Sequence, residues 1–352
     1  MPKVFVVQPI PEVALEVLRE VAEVTVYPYV DRQIEVDELV AAARRHDYLF
    51  VMHETIVPAE VFQANPNLKG IGVMGGETGF VDFAAAKAAG VPVVAADPDD
   101  TLVPGGTQQM TADLTAAMIL GLAYRLVEAD RYTREGRFKQ EQTISLLGIG
   151  CYRKTVGLIG LGGLARFLVP RLQAFQMVVR YTKRNRLEAA EEIALRVEWV
   201  EDLDEILASS DFVVTACDYN PSTHHLIGAR ELAVMKPTAF LVNTGRAWVV
   251  EEAALIKALQ DGTIAGAGLD VFWNEPPATH DVEAPSVLFK MDNVILTPHN
   301  GGGTWDHRGS RTRSVAKGIA ALIKGEQPAV LVQSTVNRAL SGDPKYSFVG
   351  RF

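Results

Sequence analysis

Along the first hundred residues, short apolar runs alternate with stretches in which Leu, Val and Ala recur every three or four positions. Residues 4–7 (VFVV), 48–52 (YLFVM), 70–74 (GIGVM) and 91–95 (VPVVA) have the length and β-branched content of buried strands. Between them, 11–22, 34–45, 58–64 and 82–89 show helical spacing. Strands that alternate with helices in this way predict βαβ units and a parallel sheet covered on both faces.

The Pro/Gly-rich stretch 97–106 (DPDDTLVPGG) reads as a linker. A long helix is expected over 108–125, followed by a polar helix over 129–138. A second alternating series then starts at Lys154, with strands near 155–159, 177–181, 197–200, 211–215, 238–242, 264–269 and 293–296. Helices fit at 163–175, 187–194, 202–208, 229–234 and 251–261. The pattern predicts an α/β chain with two doubly wound units in tandem. A last helical pattern at 304–324 can return to the first unit, which divides the chain into 1–106 with 304–352, and 107–303.

Composition narrows the function. The chain has 352 residues, 48% hydrophobic and 22% charged, which fits two globular domains. Its net charge of −9 argues against a nucleic-acid or anionic-membrane surface, though not against a small anion in a locally basic pocket. The two cysteines, Cys151 and Cys217, imply no disulfide framework and fit a reducing compartment. The apolar run near the N-terminus is too short for a signal sequence, and a cytoplasmic location is expected. No metal site is expected. The adjacent His224 and His225 would not share a face of a helix or strand.

The sharpest motif is Thr155–Ala165 (TVGLIGLGGLA), a G-x-G-x-x-A pattern between a predicted strand and a predicted helix. Gly160 permits the tight turn, and Gly162 lets the backbone approach a pyrophosphate at the helix N-terminus. Gly163 opens the helix, and Ala165 allows close helix–strand packing. An NAD site normally carries Asp or Glu at the end of the next strand, to bind the ribose 2′-hydroxyl. Here the segment 180–186 reads RYTKRNR, without a carboxylate. Its cations Lys183, Arg184 and Arg186 suit a 2′-phosphate, so NADP is the preferred cofactor and NAD a possible one.

Three further strands are each followed by a polar residue at the sheet edge where open α/β folds bind ligands. These are Arg246 in FLVNTGR, Glu275 in GLDVFWNEP and His299 in VILTPHNG. The set suits reduction of a 2-oxo acid. A planar guanidinium can hold the carboxylate, an imidazole can protonate the carbonyl oxygen, and a carboxylate can orient the imidazole.

These segments, with VNTGRAWVVEEAALIKAL and GAGLDVFWNEPP, resemble the D-isomer-specific 2-hydroxyacid dehydrogenases over about residues 3–337. Within that family, the basic turn is most similar to NADPH-dependent glyoxylate/hydroxypyruvate reductases. The resemblance implies a Rossmann cofactor domain at 107–303 and a discontinuous flavodoxin-like substrate domain at 1–106 and 304–352. It further implies an active site in the cleft between the domains, and homodimers. It carries over Arg246 as the substrate-binding arginine, Glu275 as the orienting acid and His299 as the general acid/base. It implies cofactor contacts at Leu164, Thr182, Cys217, Thr223, Thr244, Gly245 and Asp270 besides the glycines and cations, and substrate contacts at Gly75 and Gly76.

The chain departs from the family pattern in four places. Ala247-Trp248 follows Arg246 where Gly is usual, Glu77 sits in the substrate-carboxylate loop, His53 follows the third strand, and Asp218 stands where Pro is common. They leave open a relative acting on another anion, such as phosphite or a phosphorylated hydroxyacid. A dinucleotide-sensing binding protein is a further alternative, which the Arg246–Glu275–His299 set disfavours. Aromatic alternation at Tyr346, Phe348 and Phe352 predicts a packed tail over 339–352.

Overall fold

The computed structural model describes residues 1–74, 80–100, 102–141, 143–273 and 287–332. They form two compact units, one of Met1–Gly106 with the segment from Thr304 onward, the other of Thr107–Gly303.

The first unit carries β1 (Lys3–Val6), α1 (Glu12–Arg19), β2 (Glu23–Val26), α2 (Val36–Ala43), β3 (Tyr48–Met52), α3 (Ala59–Ala64), β4 (Gly70–Met74), α4 (Phe83–Ala88) and β5 (Val93–Ala95). Its five strands are parallel in the order β2-β1-β3-β4-β5, the flavodoxin-like arrangement. Every residue of β3 and β4 is buried, as expected of central strands covered on both faces. β2 is not among the strands that the apolar runs predict. It is an edge strand (EVTV) whose residues are alternately exposed and half-buried, so it lacks an apolar run.

The second unit contains α5 (Gly106–Ala123), α6 (Leu126–Arg134), β6 (Thr155–Ile159), α7 (Gly163–Ala174), β7 (Val178–Thr182), α8 (Ala189–Leu195) and β8 (Glu198–Trp199). It continues through α9 (Leu203–Ser209), β9 (Phe212–Thr215), α10 (Ala229–Val234), β10 (Phe240–Asn243), α11 (Glu252–Gln260), β11 (Gly266–Leu269) and β12 (Val294–Leu296). Seven parallel strands lie in the order β12-β11-β10-β9-β6-β7-β8, the doubly wound Rossmann order extended by one strand. The helix expected at 129–138 runs instead from Leu126 to Arg134. Arg125, at φ 50°, breaks the chain out of α5 and restarts it at once.

The chain then returns to the first unit through α12 (Trp305–Lys324). Val315, Ala316 and Ile319 of this helix are fully buried in the same apolar core as the β1, β3 and β4 side chains. The return therefore completes that core. Among the described residues no single helix is long and apolar enough to cross a membrane.

Candidate active site

The strand order reverses between β6 and β9, and ligands bind beyond the carboxyl ends of strands at such a switch point. Gly160 follows β6 there with φ 98°, a conformation that strains any other residue. A Cβ on it would lie 2.7 Å from the Cα and amide nitrogen of Cys217, just after β9, so the two loops touch through backbone. Gly162 is the extended N-cap of α7, and a Cβ on it would meet only open space. Such a cradle at the N-terminus of a twelve-residue helix fits a pyrophosphate. Leu164 is half-buried and Ala165 is fully buried in the core of this unit.

The Gly160 amide donates to the Thr182 carbonyl at 2.8 Å, so the basic turn starts beside the glycine loop. Its cations have separate fates. Arg180 lies within 3.0 Å of both Glu198 and Glu205. Arg186, expected to face a 2′-phosphate, is instead forked onto Glu192, with Nε at 2.8 Å from Oε1 and Nη2 at 2.7 Å from Oε2. Its guanidinium also lies 4.8 Å from the Trp199 ring centroid. Tyr181 donates to the same carboxylate at 2.7 Å. Arg186, ahead of Tyr181, holds Glu192 down to about 2, while burial and the neighbouring Glu192 push Tyr181 up to about 12. This network fixes the turn and leaves Lys183, half-buried, and Arg184, exposed, beside the glycine loop. Arg166 pairs with Glu191 at the start of α8, which holds that carboxyl below its usual range.

On the other side of the switch point, β10, β11 and β12 are neighbours, and each ends in a constrained loop. After β10, the buried Asn243 side chain accepts from the Gly245 amide at 3.1 Å and donates to the Arg246 carbonyl at 3.1 Å. The Thr244 hydroxyl meets that of Thr115 of α5 at 2.7 Å. This turn presents Arg246 at the surface, with Nη1 donating to the Gly245 carbonyl at 3.0 Å.

Asp270, 1% exposed at the end of β11, accepts from the Thr297 hydroxyl at 2.5 Å and from the Asn300 and Gly301 amides at 2.6 and 2.9 Å. Both carboxylate oxygens are thus engaged by the loop after β12. Asp270, expected among the cofactor contacts, shapes that loop here. His299 lies within it, exposed and at φ 50°.

The loop after β9 is tied by Thr223, whose hydroxyl donates to the Asp218 carbonyl at 2.8 Å and accepts from the Asn220 amide at 2.9 Å. Burial pushes the Cys217 thiol up to about 11, which leaves it protonated and unreactive. His224 and His225 stack at 3.9 Å and both stack on Trp248, so this loop leans on the segment just after Arg246.

Residues 116–301 match the D-isomer specific 2-hydroxyacid dehydrogenase NAD binding domain. The chain is 39% identical to a glyoxylate reductase of Thermococcus gammatolerans over 95% of its length and 97% of that protein's. The chain belongs to the D-isomer-specific 2-hydroxyacid dehydrogenase family. Its fold superposes on D-lactate dehydrogenase from Escherichia coli with a TM-score of 0.75 at 25% identity, covering 94% of this chain and 99% of the other. An NADPH-dependent glyoxylate/hydroxypyruvate reductase of Sinorhizobium meliloti, solved with NADP and malonate, gives 0.68 at 28% identity over 94% and 96%.

This dehydrogenase is an oxidoreductase with a nicotinamide dinucleotide as cofactor and a small hydroxyacid as substrate. Gly75, Gly76, Glu77, Glu275 and the tail at 339–352 lie outside the described residues. Sequence reasoning missed the roles of Thr115, Asn243 and Glu192, the residues that shape these loops. Thr115 finds its partner 129 positions away and Glu192 finds Tyr181 across the fold, whereas Asn243 bonds Gly245 and Arg246 only two and three positions on, a local turn that the segment FLVNTGR could have signalled.

Proposed function

We propose that this dehydrogenase reduces small 2-oxo acids of the glyoxylate and hydroxypyruvate type, with NADPH as the preferred donor. The observation that carries this reading is the display of Arg246 and His299 at the carboxyl ends of β10 and β12, beside the dinucleotide cradle. One strand separates them, a span of about 10 Å at the usual strand spacing. An arginine and an imidazole can converge on one small acid across that distance.

When bound, the reduced nicotinamide supplies a hydride to C2 of the substrate. Arg246 holds the substrate carboxylate with its planar fork and fixes the orientation of the carbonyl. His299 donates a proton to the carbonyl oxygen, yielding the 2-hydroxy acid. Glu275 acts on His299 as a carboxylate that orients the ring and stabilises its charged form. Reversal of these steps oxidises the hydroxy acid, with His299 as base.

Preference for NADPH rests on Lys183 and Arg184, which follow β7 where a site that selects NAD carries a carboxylate and this chain has none. A homodimer is supported by apolar surface. The long helix α5 is already covered within its own unit, with nine buried residues, so its apolar content calls for no partner. The exposed apolar side chains lie just beyond it, at Tyr124, Leu126, Val127, Ile144 and Leu147. A second copy of the chain would cover them. Sedimentation at micromolar concentration should show the dimer; a monomer would remove it.

The deciding assay follows NADPH oxidation with a panel of 2-oxo acids, with NADH in place of NADPH as one control and, in the opposite direction, reduction of NADP+ by phosphite as another. Turnover with glyoxylate and hydroxypyruvate is expected. Activity only on phosphite or phosphorylated acids, or none on any acid, would overturn the reading.

A further inference from the structure

We infer that Gln108 belongs to the dinucleotide site, closing the glycine loop and donating a hydrogen bond from its side-chain amide to the cofactor pyrophosphate. The inference rests on the dinucleotide reading above and extends it to α5, which no glycine motif implicates.

Gln108 sits in the first turn of α5 and is exposed. Its carboxamide lies directly over the start of α7. A Cβ built on Gly163 would fall 1.9 Å from Gln108 Oε1, 2.5 Å from Cδ and 2.7 Å from Nε2. The free end of this exposed side chain thus rests against Gly163, where a Cβ would displace it. Immediately before it, Gly162 opens onto empty space. The carboxamide thus borders the volume in which a pyrophosphate at the α7 N-terminus would lie.

Two features suit it to that task. First, among the described residues the carboxamide makes no hydrogen bond, so its donors are available to a ligand. Second, its backbone is held in place. Arg171 of α7 bonds Asp113 of α5 through Nε at 2.5 Å and reaches the Gln109 carbonyl at 3.5 Å, and it also donates to the Phe167 carbonyl. The first two contacts clamp the N-terminal half of α5 onto α7, beside the cradle. The helix N-terminus then offers its amides from one side and Gln108 a neutral donor from the other.

The test is titration of NADPH into the purified protein by fluorescence, with 2′-AMP, which lacks the pyrophosphate, as a second probe. Gln108→Ala should weaken NADPH about 10-fold, the usual effect of losing one hydrogen bond to a charged group. Gln108→Glu, which sets a carboxylate against the phosphates, should weaken it further. Both should bind 2′-AMP within twofold of the unmodified protein, and their cofactor-free melting temperatures should not change. Unaltered NADPH affinity in both variants would overturn the inference and leave the dinucleotide reading intact. Equal weakening of 2′-AMP would also overturn it, since the effect would then not lie at the pyrophosphate. No NADPH binding by the unmodified protein would overturn both. The contact has its own check: Gly163→Ala should weaken NADPH by displacing the Gln108 carboxamide, and should weaken it less where Gln108 is already Ala. An equal penalty in both backgrounds would show that the two residues do not meet.

Discussion

Asp270 accepts the Gly301 amide at 2.9 Å from the buried end of β11, across a gap of 31 residues, and thereby fixes the loop that carries His299. Its other oxygen takes the Asn300 amide and the Thr297 hydroxyl. Asp270→Asn would turn a donor towards one of these donors and leave a buried group unsatisfied, at a cost of about 1–3 kcal/mol. We expect kcat to fall 10- to 100-fold with little change in NADPH affinity. If affinity falls instead and kcat holds, Asp270 is a cofactor contact and not a brace for His299.

His299→Ala should lower kcat by about 10²–10⁴-fold while dinucleotide binding persists, since a positioned general acid contributes on that order. Glu275→Gln removes the charge that favours the imidazolium. The apparent pKa of the acid should then drop, and reduction should fall off at lower pH than in the unmodified enzyme. A pH–rate profile that does not move would take Glu275 out of the mechanism.

The two cations of the basic turn that the sequence reading treats alike should behave differently. Arg184→Asp should cut the NADPH/NADH ratio of kcat/KM by about 10-fold or more, because a charge-assisted bond is worth about 1.5–3 kcal/mol. Arg186→Gln should leave most of that ratio in place and lower the melting temperature, because Arg186 is forked onto Glu192. A ratio indifferent to Arg184, or dependent chiefly on Arg186, would contradict the assignment.

The contrast between Arg184 and Arg186 shows what is legible in this chain. The fully buried strands β3, β4 and β9 stand out as apolar runs, and the glycine loop as a motif between a strand and a helix, because local chemistry alone requires those residues. The edge strand β2 is hidden, since half its residues face solvent. Glu192 is hidden for another reason. It sits on a helix whose exposed face would ordinarily carry a glutamate, and only the fold brings Tyr181 and Arg186 onto it. Asp270 is visible as a polar residue at a strand end, but its partners come from a loop almost thirty residues later.

Glu192 gives the last prediction, in stability. Arg186 and Tyr181 hold its carboxyl at about 2, below the ordinary glutamate value of about 4.3. A group whose pKa is depressed by folding contributes stability that is fully present above the unfolded value and lost as pH falls through the folded one. The contribution should therefore stand at pH 7, shrink from about pH 4.3 and vanish near pH 2. Glu192→Gln keeps the shape and removes the charge, leaving Arg186 with a neutral acceptor. Its melting temperature should lie below that of the unmodified protein at pH 7, and the two should converge as the pH is lowered through 4 towards 2. Urea melts across the same range should show the same convergence. A gap of constant size at every pH would mean that the variant loses packing and not a charge interaction, and the network around Tyr181 would then have no part in holding the basic turn.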